Sequence, residues 1–192
     1  MPEYRTHKFS EAFLMQEPGR KVFASRAYRY PFGLTFSYCL AAVLLGMADG
    51  AVETFCKQMQ THRDSYSNAA SIADPFVRAR VAEADAIVRG LHARMDANVA
   101  EIDSLLDRGE PLPLPLRVSN KWDAQIIGRD AMRAIDLMFK ASGGRGIRLS
   151  NPMQRFFRDA LAGSNHAFLN ADKGSLNAGF VAMGGDTGDF SI

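Results

Sequence analysis

The sequence predicts an all-α protein: a four-helix up-and-down bundle with short extra helices and an irregular N-terminal connector. Apolar residues recur at steps of three and four over residues 31–63, 74–108 and 116–141, and again over residues 151–162. This spacing places apolar side chains on one face of a helix. The 192 residues show no strand-rich region, and 47% of them are hydrophobic. The chain is therefore long enough and apolar enough to bury the core of one large domain.

Composition divides the chain into three segments. Residues 1–30 have no sustained helical period and are predicted to be the connector, whereas residues 31–183 carry the helical bundle. Residues 184–192 are rich in Gly and Asp, so we expect this C-terminal tail to be flexible.

The first two long helices have different apolar patterns. The first, over residues 31–63, is apolar nearly all round, as is typical of a helix buried inside a bundle. Its glycines Gly46 and Gly50 are expected to let a neighbouring backbone come close. The second, over residues 74–108, carries a seam of coiled-coil type in which Asn98 is the polar exception. Asn98 is expected to fix the register of this seam rather than to perform chemistry.

Proline and glycine mark the limits of the last two helices. Gly109 and the run Pro-Leu-Pro-Leu-Pro over residues 111–115 are predicted to form a stiff connector before the third helix. Gly143 and Gly144 end that helix. Ser-Asn-Pro over residues 150–152 begins the fourth, because Ser or Asn can cap a helix and Pro suits its first turn.

Charge, cysteine usage and apolar run length argue against several classes of protein. The net charge of +2 includes no run of Lys or Arg, so we expect no nucleic-acid partner. Cys39 and Cys56 lie roughly 25 Å apart along one helix, too far to form a disulfide, and are interpreted as buried thiols of a cytoplasmic protein. Neither has metal-ligand spacing with a His, so no metal is proposed. The apolar run over residues 34–48 is shorter than the roughly 20 residues of a membrane span, so we expect no membrane partner.

Adjacent glycines follow the third helix. The backbone N–H groups at Gly143 and Gly144, beside the cation of Arg145, could cradle a phosphate or a diphosphate. Local chemistry alone favours the alternative that these glycines only cap the helix.

The stretch from residue 142 to residue 166 has a fairly specific pattern. A small-Gly-Gly turn is followed by Asn-Pro-x-Gln-Arg, an aromatic pair, Arg-Asp and a later His. The residues are Ser142-Gly143-Gly144, Asn151-Pro152-Met153-Gln154-Arg155, Phe156-Phe157, Arg158-Asp159 and His166. This pattern resembles the C-terminal domain of the acyl-CoA dehydrogenase superfamily and, more closely, the group D flavin-dependent monooxygenases. Met153, where those proteins have Leu, is the one departure.

The resemblance implies both a fold and an activity. It implies a helical bundle that is the C-terminal domain of a flavin-dependent monooxygenase, which hydroxylates an aromatic substrate with O₂ and a reduced flavin, FMN or FAD. A flavin reductase would supply the flavin, and the chain would form a homo-oligomer, either a tetramer or a dimer. Residues 2–5 resemble the segment that leads from the family's β domain into its helical domain. Residues 1–30 would then be the tail of a β domain, and about half of such a protein would precede this chain.

The same resemblance assigns residues to the flavin. Arg63 and Tyr66 match an Arg-x-x-Phe element that helps to hold the flavin nucleotide, with Tyr66 in place of Phe. Arg63 has the alternative role of a cation at a helix C-terminus. The residues expected to contact the flavin of a neighbouring subunit are Ser142, Gly143, Gly144 and Arg145.

His166 is the histidine expected to carry chemistry. Imidazole donates or accepts a proton near neutral pH, and the resemblance implies a place near the aromatic substrate and the reactive edge of the flavin. There it would either deprotonate a phenolic substrate or hydrogen-bond to the activated flavin. The alternative, from position alone, is a structural residue that caps a helix end.

Two alternatives to the monooxygenase remain open. An acyl-CoA dehydrogenase is disfavoured, because no helix-borne Glu stands in the context of the dehydrogenase base. A non-catalytic helical oligomerisation module would keep the fold and lack the chemistry. Whether the isolated chain is an enzyme therefore stays open.

Overall fold

The computed structural model describes residues 9–13, 15–16, 19–65, 67–189 and 191–192. Tyr66 and residues 2–5 lie outside the described residues. The described residues form α1 (Phe9–Phe13), α2 (Gly19–Val22), α3 (Phe32–Thr61), α4 (Pro75–Asp107), α5 (Leu114–Ala141), α6 (Met153–Ser164) and α7 (Ala171–Ala182). Their only β-type pairing is an isolated bridge between Arg63 and Ala70. The predicted all-α class is confirmed.

The long helices α3, α4 and α5 run up, down and up. Near one end of the bundle, the Tyr38 hydroxyl of α3 accepts a hydrogen bond from Asn98 of α4 and donates one to Asn120 of α5. Asn98 lies late in α4, whereas Tyr38 and Asn120 lie early in their helices. α4 is therefore antiparallel to both of its neighbours.

The fourth helix, α6, is short and reaches α3 through glycines. Phe156 lies so close to Gly50 that a Cβ atom there would be 3.0 Å from the ring. Later in α6, Gly163 faces Leu44, which precedes Gly50, so α6 is antiparallel to α3. Gly50 thus makes room for an aromatic side chain, and Gly46 has open space around it. The close backbone approach predicted for these two glycines is wrong.

The core is built where α3 meets α5. Both helices present fully buried alanines at this contact, which let the two backbones come close. Larger apolar side chains fill the space beside them, and α4, α6 and α7 pack around the pair. The buried apolar core residues of the pair are Ala41, Leu44, Leu45, Ala48, Ala51, Phe55, Met59, Ala124, Ile127, Ala131, Ala134, Ile135 and Met138.

α4 begins and packs much as its sequence predicts. The Asp74 carboxylate accepts a hydrogen bond from the N–H of Phe76 at 2.8 Å, which caps the helix. In the seam, Asn98 Nδ2 donates to Tyr38 Oη and to Asp123 Oδ2, each at 2.8 Å. One amide thereby joins α3, α4 and α5, which supports the register role predicted for Asn98.

α3 is more exposed than its sequence predicts, and its apolar stretch is longer than residues 34–48. By length and composition alone, this one helix among the described residues would suffice to cross a membrane, so the short-run argument from residues 34–48 does not hold. Helices in the core of a bundle can have the same length and composition, and α3 packs against α4, α5 and α6. Cys39 is exposed on α3 and Cys56 is half-buried, whereas both were predicted to be buried.

The described part of the N-terminal connector is partly helical and is fastened to α4. It contains α1, α2 and a 3-10 turn over Arg26–Arg29. Arg26 forms ion pairs with Asp103 (3.1 Å) and Asp107 (2.9 Å). The hydroxyl of Tyr30 donates to Asp103, and burial together with this carboxylate raises the pKa of Tyr30 to about 12.

The C-terminal tail packs on α5 and on the start of α3, whereas its composition predicts flexibility. The Asp189 side chain is only 5% exposed and pairs with Lys121 at 3.0 Å. The carbonyl of Ser191 lies so near Gly33 that a Cβ atom there would be 2.0 Å from its oxygen. These contacts join residues far apart in sequence, so local composition did not reveal them.

Replacing the fully buried Phe55 by Ala is expected to lower the free energy of unfolding by about 3–5 kcal/mol, because it opens a cavity in the core. The control is Phe76→Ala, since the Phe76 side chain is 73% exposed. We expect that variant to change stability by no more than about 0.5 kcal/mol. Urea denaturation followed by circular dichroism measures both, and equal losses would contradict this description of the core.

Candidate functional site

A cleft of about 880 Å³ opens at the end of the bundle where α3 and α5 finish. One wall is the segment between α3 and α4, and the other is the turn after α5. Its lining residues are Met59, His62, Asp64, Ser65, Ser67, Ala69, Ala70, Ser71, Ala73, Asp74, Val77, Ala141, Ser142, Gly143, Gly144, Arg145 and Arg148. The structure thus brings all four predicted turn residues into one cleft.

The segment between α3 and α4 is folded back on itself. The N–H of Asp64 donates to Ala69 O, and the N–H of Asn68 donates to Asp64 O, both at 2.9 Å. The Asp64 carboxylate accepts hydrogen bonds from the N–H and the hydroxyl of Ser67, each at 2.8 Å. This Asx-type turn fixes the shape of the wall and engages the carboxylate of Asp64 within its own loop.

The opposite wall depends on a glycine in the left-handed region. Gly143 has a φ of +60°, and Gly143–Arg145 form a 3-10 turn. At both Gly143 and Gly144, a Cβ atom would meet nothing within 4 Å, so a ligand can approach the backbone. Ser142 is buried, and its hydroxyl donates to Met138 O at 2.9 Å. The Ser142 hydroxyl therefore bonds to the end of α5, while the two glycines provide the open surface.

The cleft is lined by two arginines and two aspartates, and the aspartate carboxylates accept hydrogen bonds within their own segment. Arg145 and Arg148 both line it, and neither forms an ion pair within the part of the chain that the structure describes. His62 Nδ1 hydrogen-bonds with the Ser71 hydroxyl. Burial and the nearby Arg145 lower the pKa of His62 below its usual range, with Asp64 acting in the opposite direction. The imidazole is therefore predominantly neutral at pH 7.

Two other residues, Arg63 and Tyr66, were predicted to hold the flavin nucleotide. Arg63 is exposed and its side chain is not part of the cleft lining, although its backbone bridges to Ala70 in the wall. Tyr66 lies outside the described residues. His62 and Arg148, which sequence reasoning did not assign to the site, enter the cleft instead. Each lies within three residues of a predicted position, so proximity in sequence was the available clue.

His166 lies at the opposite end of the bundle from this cleft. Its ring meets Phe36, near the start of α3, edge-on at 5.6 Å between ring centroids. Met59, near the end of α3, lines the cleft. The rise of an α-helix separates these two positions on α3 by roughly 35 Å. One chain therefore does not bring the predicted catalytic residue and the predicted flavin turn into a single site.

His166 is exposed and lines a smaller cleft of about 330 Å³, with Arg129 and Asp172 among its other lining residues. Its Nδ1 accepts a hydrogen bond from the N–H of Phe168 at 3.2 Å. A backbone N–H can only donate, so Nδ1 carries no proton, and the neutral imidazole carries its proton on Nε2. This geometry favours the hydrogen-bond donor among the two roles predicted for His166.

Residues 38–171 match the family described as the acyl-CoA dehydrogenase, C-terminal domain. The chain belongs to this family. Its relatives are group D flavin-dependent monooxygenases, as the pattern over residues 142–166 predicted. The resemblance inferred from sequence is confirmed.

The similarity of this chain to three known proteins supports this relationship. The chain is 29% identical over 193 residues to the oxygenase subunit HsaA of a flavin-dependent monooxygenase from Rhodococcus jostii, with 100% of this chain and 49% of that protein covered. It is 26% identical over 181 residues to the oxygenase component of an FADH2-dependent resorcinol hydroxylase from Rhizobium sp., covering 90% and 44%. The crystal structure of 3-HSA hydroxylase from Rhodococcus sp. RHA1 has a TM-score of 0.89 at 27% identity, covering 100% and 50%. The chain thus spans about half the length of the curated relatives it matches.

Replacing Arg145 by Ala is expected to raise the pKa of His62, because the guanidinium opposes a second positive charge nearby. NMR titration of the His62 ring measures this. In the wild type the ring should take up its proton at a lower pH than a histidine in an unfolded chain, because its pKa is lowered. Arg155→Ala, at an exposed position of α6 outside the cleft lining, is the control. An equal rise in both variants would contradict the proposed contact.

Proposed function

We propose that this chain is the C-terminal domain of the oxygenase component of a flavin-dependent monooxygenase. The enzyme would hydroxylate an aromatic substrate with O₂ and a reduced flavin, FMN or FAD, supplied by a flavin reductase. One observation carries the proposal: an open cleft with two arginines that lack an ion-pair partner among the described residues lies at the Gly143–Arg145 turn, in a chain related over its whole length to such an oxygenase subunit.

The cleft residues suit the phosphate-bearing part of a flavin nucleotide. Arg145 and Arg148 supply guanidinium groups, which bind phosphate oxygens through charge-assisted hydrogen bonds. Gly143 and Gly144 leave the backbone open to a phosphate. Asp74 also lines the cleft, but its carboxylate caps α4. The flavin, when bound, supplies the oxygen-activating chemistry, and the residues of this cleft bind and orient it.

We propose a homo-oligomer, a tetramer or a dimer, in which flavin sites are shared between protomers. The roughly 35 Å along α3 between the surroundings of His166 and the cleft exceeds the length of a flavin nucleotide. A flavin that contacts the turn Gly143–Arg145 of one protomer would therefore meet His166 of a different protomer. Each shared site would then contain both the turn Gly143–Arg145 and His166.

His166 would act as a hydrogen-bond donor through Nε2. The N–H of Phe168 occupies Nδ1, so a neutral ring has no free acceptor nitrogen with which to take the proton of a phenol. A positioned donor can stabilise negative charge on an oxygen atom of the substrate or cofactor.

The cytoplasm is the proposed location. Cys39 is an exposed free thiol and Cys56 a half-buried one, and such thiols persist in a reducing compartment. A reductase that supplies reduced flavin would work in the same compartment.

Anaerobic titration of the purified chain with reduced and oxidised FMN and FAD tests the cofactor proposal. Arg145→Ala should weaken binding roughly 10- to 100-fold, the range expected for a lost hydrogen bond to a charged group. Arg155→Ala should bind as the wild type does. Competition by ADP would indicate that the cleft takes the adenine half of FAD. If the wild type forms a tetramer by light scattering and binds no flavin, the alternative of a non-catalytic oligomerisation module is favoured instead.

In the enzyme that contains this domain, His166→Ala is expected to lower the rate of aromatic hydroxylation by roughly 10²–10³-fold, the usual effect of removing a positioned donor. Product formation is measured under single turnover with pre-reduced flavin, which separates the reaction from flavin supply. His92→Ala, at a surface pair with Asp49, is the matched control. Unchanged turnover in His166→Ala would remove this residue from the proposal.

A further inference from the structure

Two buried polar side chains project from α5 towards the turn that follows His166. Lys121 and Gln125 lie one helical turn apart and are 5% and 3% exposed. Long polar side chains are rarely buried to this extent unless they are held by partners. Their partners include Phe168, in the 3-10 turn Ala167–Leu169.

Phe168 links these two side chains to His166. Gln125 Nε2 donates to the carbonyl oxygen of Phe168 at 3.3 Å, and Lys121 Nζ lies 5.4 Å from the centroid of its ring. The N–H of the same residue donates to His166 Nδ1 at 3.2 Å. Displacing the peptide groups of Phe168 would therefore also displace the hydrogen bond that orients the imidazole.

The C-terminal tail holds Lys121 in this position. Lys121 Nζ lies 3.0 Å from Asp189 Oδ2 and 3.4 Å from Ser191 O, and Asn177 Nδ2 donates to Asp189 Oδ2 at 3.2 Å. Burial alone would raise the pKa of Asp189, but hydrogen bonds from Ser191 and Lys121 outweigh it and lower the pKa to about 2. The carboxylate is therefore charged at neutral pH and suited to pair with a buried ammonium group.

Packing alone does not explain a glutamine at position 125. The Oε1 atom of Gln125 is buried without a hydrogen-bond partner among the described residues. Gly174 leaves space for this oxygen, since a Cβ atom at residue 174 would lie only 1.6 Å from it. A buried acceptor without a partner destabilises the fold, and an apolar side chain of similar size would avoid that. The feature of Gln125 that an apolar residue cannot replace is its N–H donation to Phe168.

We propose that Lys121 and Gln125 are positioning residues for His166, which act through Phe168, and that the C-terminal tail completes this support. The functional meaning rests on the role proposed above for His166. Neither residue lines the cleft that contains His166, so their effect is on its orientation.

NMR of the ¹⁵N-labelled chain tests the proposal without cofactor. In Gln125→Met, which leaves no charge unpaired, we expect the Phe168 amide to exchange with solvent about tenfold faster, as for the loss of one net hydrogen bond. The Nδ1 resonance of His166 should shift as its hydrogen bond weakens. Lys121→Met should give the same changes, and Lys121→Arg, which keeps the charge, should restore both signals towards wild type.

Phe55→Leu is the stability control, because it loosens the core roughly 30 Å away along α3 and should leave both signals unchanged. If Gln125→Met leaves the Phe168 amide and the His166 ring as in the wild type, the positioning role is overturned. Equal changes in Phe55→Leu would also overturn it, because they would show a global effect. Failure of the catalytic proposal is distinguishable, since hydroxylation would then survive His166→Ala whatever the NMR result.

Discussion

The close contact between α3 and α5 is the constraint on which the rest of the structure depends. Buried alanines on both helices let these two long helices, which run in the same direction, pack closely together. Because larger apolar side chains pack beside these alanines, a shift of either helix along the other would disturb this packing. Both candidate sites are attached to this pair. The cleft that contains Arg145 and Arg148 lies where the two helices end, and the turn after His166 packs against their first halves.

The distance between the two sites is a physical argument for the proposed oligomer. A single chain offers a pair of arginines in a cleft at one end and the imidazole of His166 at the other, and neither surface is enclosed. Water would compete for both until another protein surface covered them, and exclusion of water strengthens such electrostatic contacts. In the proposed arrangement the bundle would act as a spacer, and the length of α3 would set the distance between two flavin sites.

Local patterns predicted the parts of the structure that depend on local chemistry. Apolar periodicity gave α3 and α4 nearly to their observed ends, and the Asn-Pro sequence gave the start of α6, where Asn151 Oδ1 accepts from the N–H of Met153 at 3.0 Å. The resemblance over residues 142–166 supplied the turn at the cleft. What sequence reasoning missed depends on distant partners: Gln125 meets a carbonyl 43 positions away, and Lys121 meets the tail 70 positions away. Neither residue differs in the sequence from an ordinary polar position on a helix surface.

The C-terminal tail also limits which side chains α3 can carry at one of its glycines. The carbonyl of Ser191 occupies the space in which a side chain at Gly33 would begin, whereas Gly46 on the same helix faces open space. A single methyl group at residue 33 would therefore have to expel the tail, and with it the carboxylate that neutralises Lys121. In a library of random substitutions, the two glycines should consequently behave as opposites: residue 46 would accept almost any amino acid, and residue 33 would accept almost none.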